Sequence, residues 1–104
     1  MAFPGGQDHR ITLAEAAALT RRHRERAGGK GPRAFAFGRE ALDALLAQAG
    51  CAGLRVYLGR GEDGDTAVVL VGMDATGADL TDGEVLDRSW PCPPYCPGSS
   101  ALDG

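Results

Sequence analysis

The sequence predicts an α+β fold in which two N-terminal helices pack on an antiparallel β-hairpin or small sheet, followed by an extended Pro/Cys-rich C-terminal segment. Two helical patterns precede residue 50, an alternating apolar pattern follows it, and prolines dominate the chain from Trp90 onward. The length of 104 residues suits one domain. We therefore divide the chain into a flexible arm (1–10), a single α+β domain (11–89) and the C-terminal segment (90–104).

The first predicted helix spans roughly 12–27. Thr12 and Glu15 form a T-x-x-E capping box, in which each side chain bonds the backbone N–H of the other residue. Gly28 favours the end of the helix there, because glycine readily adopts the left-handed conformation that follows a helix.

A basic cluster, defined as residues 21–33, covers the end of this helix and the loop after it. Positive charge at a helix C-terminus is typical of a solvated helix end, and the whole chain has a net charge of −3. Nucleic acid is therefore not an expected partner. An adaptor surface for acidic ligands is the less favoured interpretation of this cluster.

The second predicted helix spans roughly 38–49, and strands at about 53–60 and 66–74 form the hairpin. The letters G-x-G-x-x-G at 59–64 lie between two strands with no helix after them, so they indicate a hairpin loop and not a dinucleotide site. A short third strand is expected within 80–89. The predicted core comprises Leu42, Leu45, Leu46, Leu54, Val56, Leu58, Val69 and Val71.

The second hairpin strand is apolar on both faces. Val68 and Leu70 lie on the face that the helices are not expected to cover, and an exposed apolar patch commonly marks an interface. We therefore expect a homodimer or a protein partner on that face.

The expected location is the cytoplasm, without a membrane partner. Residues 1–10 are polar and lack the apolar run of a signal peptide, and no stretch approaches the roughly 20 apolar residues of a membrane span. In that compartment thiols are kept reduced.

The three cysteines are the strongest chemical feature. Cys92 and Cys96 are four residues apart on a chain stiffened by prolines, so they can chelate a soft metal ion or close a disulfide. Cys51 could supply a third thiolate, which gives a candidate site for Zn²⁺ or Cu(I) at Cys92, Cys96 and Cys51. Two alternatives stay open: Cys51 is a small buried apolar residue, and the C-terminal segment is a strap packed by Trp90 and Tyr95.

Three stretches carry a resemblance to a known family. GCAGLRVY (50–57), VLVGMD (69–74) and PCPPYC (91–96) resemble a group of small uncharacterised bacterial proteins, over most of 11–96. The resemblance implies that both cysteine regions belong to one module, and no function carries over.

Two shorter resemblances concern metal-handling proteins. Residues 50–54 are similar to the first cysteine region of A-type iron–sulfur carriers, and 92–97 resembles the copper motif of Sco-type assembly proteins. The C-G-C ending of the first family and the thioredoxin-like surroundings of the second are absent, so no residue roles carry over.

The function that these observations predict is that of a small accessory protein with a cysteine metal-binding or thiol redox site. No catalytic residues are predicted, because the two histidines, His9 and His23, lie in the polar arm and among arginines. The alternative is a non-catalytic protein–protein interaction module in which the cysteines are structural.

Overall fold

The computed structural model describes all residues from 1 to 104 and contains two helices and two small antiparallel sheets, which confirms the α+β class. In chain order the elements are α1 (Leu13–Ala27), β1 (Ala34–Ala36), α2 (Arg39–Leu46), β2 (Cys51–Arg60), β3 (Thr66–Asp74), β4 (Val85–Leu86) and β5 (Trp90–Cys92). No helix has the length and apolar character needed to cross a membrane.

The chain divides into two compact units. The first unit comprises Met1–Gln7 and Phe37–Ser89, and the second comprises Asp8–Ala36 and Trp90–Gly104. The predicted division placed 11–89 in one domain. In the structure, α2 and the hairpin belong to the first unit, while α1 and the C-terminal segment belong to the second.

The first unit is built on the hairpin that the alternating pattern predicts. β2 and β3 pair antiparallel, and residues 61–65 join them. In this loop the Asp63 carboxylate accepts the N–H of Asp65 at 2.9 Å, and Gly64 has a φ of 85°, which glycine adopts without steric cost. The letters G-x-G-x-x-G at 59–64 therefore belong to a hairpin, as predicted.

The core of this unit differs in part from the predicted one. α2 packs on β2 and β3, with Leu45 fully buried. Leu46, Val56 and Leu58, which were predicted to be buried, are 49%, 53% and 80% exposed. The reason is that β2 is an edge strand of the β2-β3-β4 sheet and its second half is exposed, while Leu46 is the last residue of a short helix.

α2 also ends earlier than the predicted residue 49. The Gln48 side chain folds back and donates from Nε2 to the Leu45 carbonyl at 2.8 Å, while its Oε1 accepts the N–H of Glu84 at 2.8 Å. These two side-chain hydrogen bonds stabilise a turn directly after the helix. The helix therefore ends at Leu46, although the apolar pattern of the sequence continues to Ala49.

Replacing Leu45 with Ala should lower the free energy of unfolding by about 2–5 kcal/mol, because the change leaves a cavity at a fully buried position. Leu46→Ala on the neighbouring exposed position is the matched control, and it should cost less than about 1 kcal/mol. Urea unfolding of both variants measures the difference. Equal losses at the two positions would contradict this assignment of the helix face.

β3 is buried on both faces in its second half. Val68 and Leu70, predicted to form an exposed apolar patch, are only 8% and 6% exposed. Leu70 lies opposite Leu86 of β4, so it is in the interior of the sheet. Val68 and Leu70 therefore form no exposed patch, so the argument for a homodimer from such a patch is wrong. The homodimer itself stays a prediction.

Part of the segment predicted to be a flexible arm contacts the sheet of the first unit. The N–H of Phe3 donates to the Ala75 carbonyl at 2.7 Å. A Cβ on Gly53 would lie 2.8 Å from the Phe3 ring, so a side chain at position 53 would displace that ring.

In the second unit, α1 begins with the predicted capping box. Thr12 Oγ1 accepts the N–H of Glu15 at 3.1 Å, and α1 ends at Gly28 with a φ of 61°. A two-stranded sheet, which the sequence pattern did not predict, pairs β1 with β5 and places Phe35 opposite Pro91. Proline is tolerated there because both strands are edges, where a missing N–H leaves no ladder partner unsatisfied.

Candidate functional site

Cys92 and Cys96 are joined by a disulfide in the second unit, with their Cα atoms 4.7 Å apart. β5 fixes Cys92 opposite Ala34, and a turn then brings Cys96 back to it, with the N–H of Tyr95 donating to the Pro91 carbonyl at 3.0 Å. Cys92 is 1% exposed, whereas Cys96 is half-buried. The two cysteines therefore differ in their exposure to solvent.

Arg33 contacts both cysteines of the disulfide and Asp103. Its backbone N–H donates to the Cys92 carbonyl at 2.7 Å, which extends the pairing beside β1. Its guanidinium donates from Nη2 to Cys96 Sγ at 3.4 Å. The same guanidinium makes an ion pair with Asp103 through Nε, and its Nη2 lies 3.3 Å from the second carboxylate oxygen.

Asp103 completes a four-residue site. Its Oδ1 lies 3.9 Å from Cys92 Sγ, and one ligand atom from each of Cys92, Cys96 and Asp103 falls within 4.8 Å of the others. We call Arg33, Cys92, Cys96 and Asp103 the disulfide site. Within it Arg33 contacts Cys96, and the Asp103 carboxylate lies 3.9 Å from Cys92 Sγ and within 4.8 Å of both sulfurs.

The charges of this site are mutually stabilised. The hydrogen bond from Arg33 lowers the pKa of Asp103, and the positive charges of Arg33 and Arg24 lower it further, against an opposing effect of desolvation. The same hydrogen bond raises the pKa of Arg33. Both groups are therefore ionised at neutral pH.

The ion pair makes a testable contribution to stability. A carboxyl group with a lowered folded-state pKa stabilises the protein above its unfolded pKa, which is about 4, and the contribution is lost as the pH falls through the folded pKa. Asp103→Asn should therefore lower the urea midpoint at pH 7, and the gap from the parent protein should narrow as the pH falls below about 4. Asp82→Asn, at an exposed position, is the control. A difference in urea midpoint that does not change with pH would contradict a stabilising ion pair between Arg33 and Asp103.

Cys51, the third predicted site residue, lies in the first unit at the start of β2. Its thiol is free and half-buried, and its Sγ donates to the Gly53 carbonyl at 3.2 Å. The structure thus brings two of the three predicted residues together, and the third group beside them is a carboxylate.

Arg33 and Asp103 were missed as site residues. Arg33 was assigned to a solvated basic cluster, and Asp103 lies in a Gly/Ser-containing tail without a recognisable spacing motif. The two are 70 positions apart in the chain, so no local pattern connects them.

Two aromatic side chains flank the cysteines. The rings of Trp90 and Tyr95 lie against each other with centroids 4.7 Å apart and planes tilted by 34°, and both side chains are exposed. They were expected to be buried if the C-terminal segment were only a packed strap. Trp90 is the single tryptophan of the chain, so its fluorescence is a direct probe of this site.

No family model, curated protein or solved structure was found to match this chain.

Proposed function

We propose that this protein is a thiol–disulfide redox protein whose Cys92–Cys96 pair cycles between a disulfide and two thiols. The observation that carries the proposal is the asymmetry of the pair: Arg33 Nη2 lies 3.4 Å from the half-buried Cys96 Sγ, whereas Cys92 is 1% exposed beside Asp103. A neighbouring cation favours the thiolate, which is the nucleophile in disulfide exchange. Cys96 is thus the attacking cysteine and Cys92 the resolving one.

The reaction balances in two exchanges. The Cys96 thiolate attacks one sulfur of a substrate disulfide, a mixed disulfide forms, and the first substrate thiolate leaves and takes a proton from water. Cys92 then gives its proton to solvent, attacks Cys96 Sγ and expels the second substrate thiolate, which is also protonated. The substrate gains two electrons and two protons, and the protein becomes the disulfide.

A dithiol reductant restores the two thiols by the reverse exchanges. The reduced protein is the form that a reducing compartment would maintain, which agrees with the cytoplasmic location expected from the sequence. Asp103 keeps its negative charge beside Cys92, so it favours the protonated, waiting form of the resolving thiol.

A stoichiometric reaction tests the proposal. Reduced protein mixed with the neutral bis(hydroxyethyl) disulfide should release about two equivalents of small thiol per chain, as the two exchanges require. Peptide mapping should then find Cys92 joined to Cys96, with Cys51 still free as the internal control. Failure of the small disulfide to react, or an intact disulfide after treatment with excess dithiol, would support a structural disulfide in an interaction module instead.

One observation favours a second candidate function, the binding of a soft metal ion. In the disulfide form one ligand atom from each of Cys92, Cys96 and Asp103 lies within 4.8 Å of the others. Reduction would free both sulfurs, which with the carboxylate make a donor set that suits Zn²⁺, while the two sulfurs alone suit Cu(I). Arg33 opposes this function, because it occupies the Asp103 carboxylate and places a positive charge next to Cys96.

Elemental analysis separates the two candidates. Protein purified without added metal and under reducing conditions should be free of metal if the pair is a redox site. About one ion per chain, lost in Asp103→Asn, would favour the metal site. Cys51→Ser serves as the control for a contribution from the first unit.

A further inference from the structure

An open cavity of about 430 Å³ lies within the second unit next to the disulfide site. Arg33 lines it and also contacts Cys96, and Pro97 of its wall directly follows Cys96. The volume is in the range of pockets that hold small molecules. A compound seated in this cavity would therefore be adjacent to the attacking sulfur.

The cavity combines apolar walls with positive charge. Leu19 and Leu102, two of its apolar residues, are 56% and 43% exposed, so they are available to a ligand. Arg24 and Arg33 supply permanent positive charges, and a smaller neighbouring cavity, which both of them also line, adds Lys30.

Only part of this charge is neutralised. Among the residues that line the two cavities Asp103 is the one acidic group, and its ion pair is with Arg33. Arg24 donates from Nη1 to the neutral Leu102 carbonyl at 2.7 Å. Its positive charge also lowers the pKa of Asp103, although the ion pair of that carboxylate is with Arg33. By contrast Arg21, on the same helix, pairs with Glu25 at 3.9 Å.

We infer that this cavity is a binding subsite for a small disulfide that carries a carboxylate, the substrate class of the disulfide site. The inference rests on the proposed redox function. The substrate carboxylate would pair with Arg24, its carbon chain would lie on Leu19 and Leu102, and its disulfide would reach Cys96 Sγ for the two exchanges given above. Each turnover releases two molecules of the acidic thiol and leaves Cys92–Cys96 oxidised, to be reduced again by a dithiol.

A matched series of three small disulfides tests the inference. Dithiodipropionate carries carboxylates, bis(hydroxyethyl) disulfide is neutral, and cystamine carries ammonium groups. Reduced protein is mixed with each, oxidation is followed by Trp90 fluorescence and mass spectrometry, and each rate is divided by the rate for free N-acetylcysteine amide, a neutral thiol, with the same disulfide. Dividing by the reference rate corrects for the different intrinsic reactivities of the three probes.

The normalised rate for dithiodipropionate should exceed that for the neutral probe by about tenfold at low ionic strength, and cystamine should be slowest. At about 0.5 M salt the preference should shrink to about threefold or less, because screening weakens attraction between exposed charges. Equal normalised rates for the three probes would overturn the inference.

Three substitutions locate the effect. Arg24→Gln should lower the dithiodipropionate rate at least about fivefold and change the neutral rate less than about twofold. Arg24→Lys keeps the charge and should retain the preference, which separates charge from the contact with Leu102. Arg21→Gln, on the same helix but outside the cavity, should behave as the parent protein.

Failure of the inference and failure of the proposed function give different results. If reduced protein reacts with none of the three probes, the redox function itself is wrong. If it reacts with the neutral probe but shows no charge preference, or if Arg21→Gln has the same effect as Arg24→Gln, the redox function stands and only the subsite is wrong.

Discussion

Reduced Cys92→Ser protein should react with bis(hydroxyethyl) disulfide and stop as a mixed disulfide on Cys96, whereas reduced Cys96→Ser protein should react at least about 100-fold more slowly. The physical reason is that Cys96 is half-buried and contacts Arg33. Cys92, the thiol of this site that is left in Cys96→Ser, is 1% exposed in the parent structure and has the Asp103 carboxylate 3.9 Å away. In Cys92→Ser no resolving thiol is left, so the second exchange cannot occur.

Intact-mass spectrometry measures both outcomes, and Cys51→Ser, introduced into each variant, removes the remaining thiol as a source of adducts. If the two single variants react at the same rate, or if the adduct forms more rapidly on Cys92, the assignment of roles is wrong.

Replacing Arg33 with Gln should have the second-largest effect, a decrease of about tenfold in the alkylation rate of Cys96 at pH 7. The substitution removes the cation that lies 3.4 Å from Cys96 Sγ and leaves the Asp103 carboxylate unpaired near both sulfurs. Both changes disfavour the thiolate. The measurement is the rate of modification by iodoacetamide in a Cys92→Ser background.

Two further variants make this result specific. Lys30→Gln removes a charge from the neighbouring cavity without a contact to Cys96, and it should change the rate less than about twofold. Adding Asp103→Asn to Arg33→Gln removes the unpaired anion and should restore part of the lost rate. An Arg33→Gln rate equal to the parent rate would show that the guanidinium does not activate Cys96.

The periodicity of the sequence predicts α1, α2, β2 and β3, because helix and strand patterns depend on residues that are close together in the chain. The capping box at Thr12 and Glu15 appears as predicted, and so does the change from helix to hairpin after residue 50. Burial depends on what covers each face, and there the prediction is partly wrong. Val56 and Leu58 are exposed on an edge strand, whereas Val68 and Leu70 are buried, because β3 and not β2 is the central strand.

The same distinction applies to the candidate site: the contact between residues close in sequence could be predicted, and the contacts between distant residues could not. Cys92 and Cys96 are close in sequence, so their proximity in space follows from the turn between them. Arg33 and Asp103 reach the site only because β1 pairs with β5 and the tail returns to Arg33. A three-residue strand such as β1 has no periodic signal, so neither the pairing nor the two charged partners could be predicted.

The central claim is that Cys92 and Cys96 form a reversible redox couple, and an equilibrium titration tests it most directly. The protein is equilibrated in glutathione redox buffers, which set the higher potentials, and in dithiothreitol redox buffers, which set the lower ones, then alkylated and analysed by peptide mass spectrometry. We expect both cysteines to convert together in one two-electron transition with a midpoint between about −270 and −180 mV, the range of disulfide oxidoreductases. A midpoint below about −300 mV, typical of structural disulfides, or a pair that stays reduced in every buffer, would contradict the account.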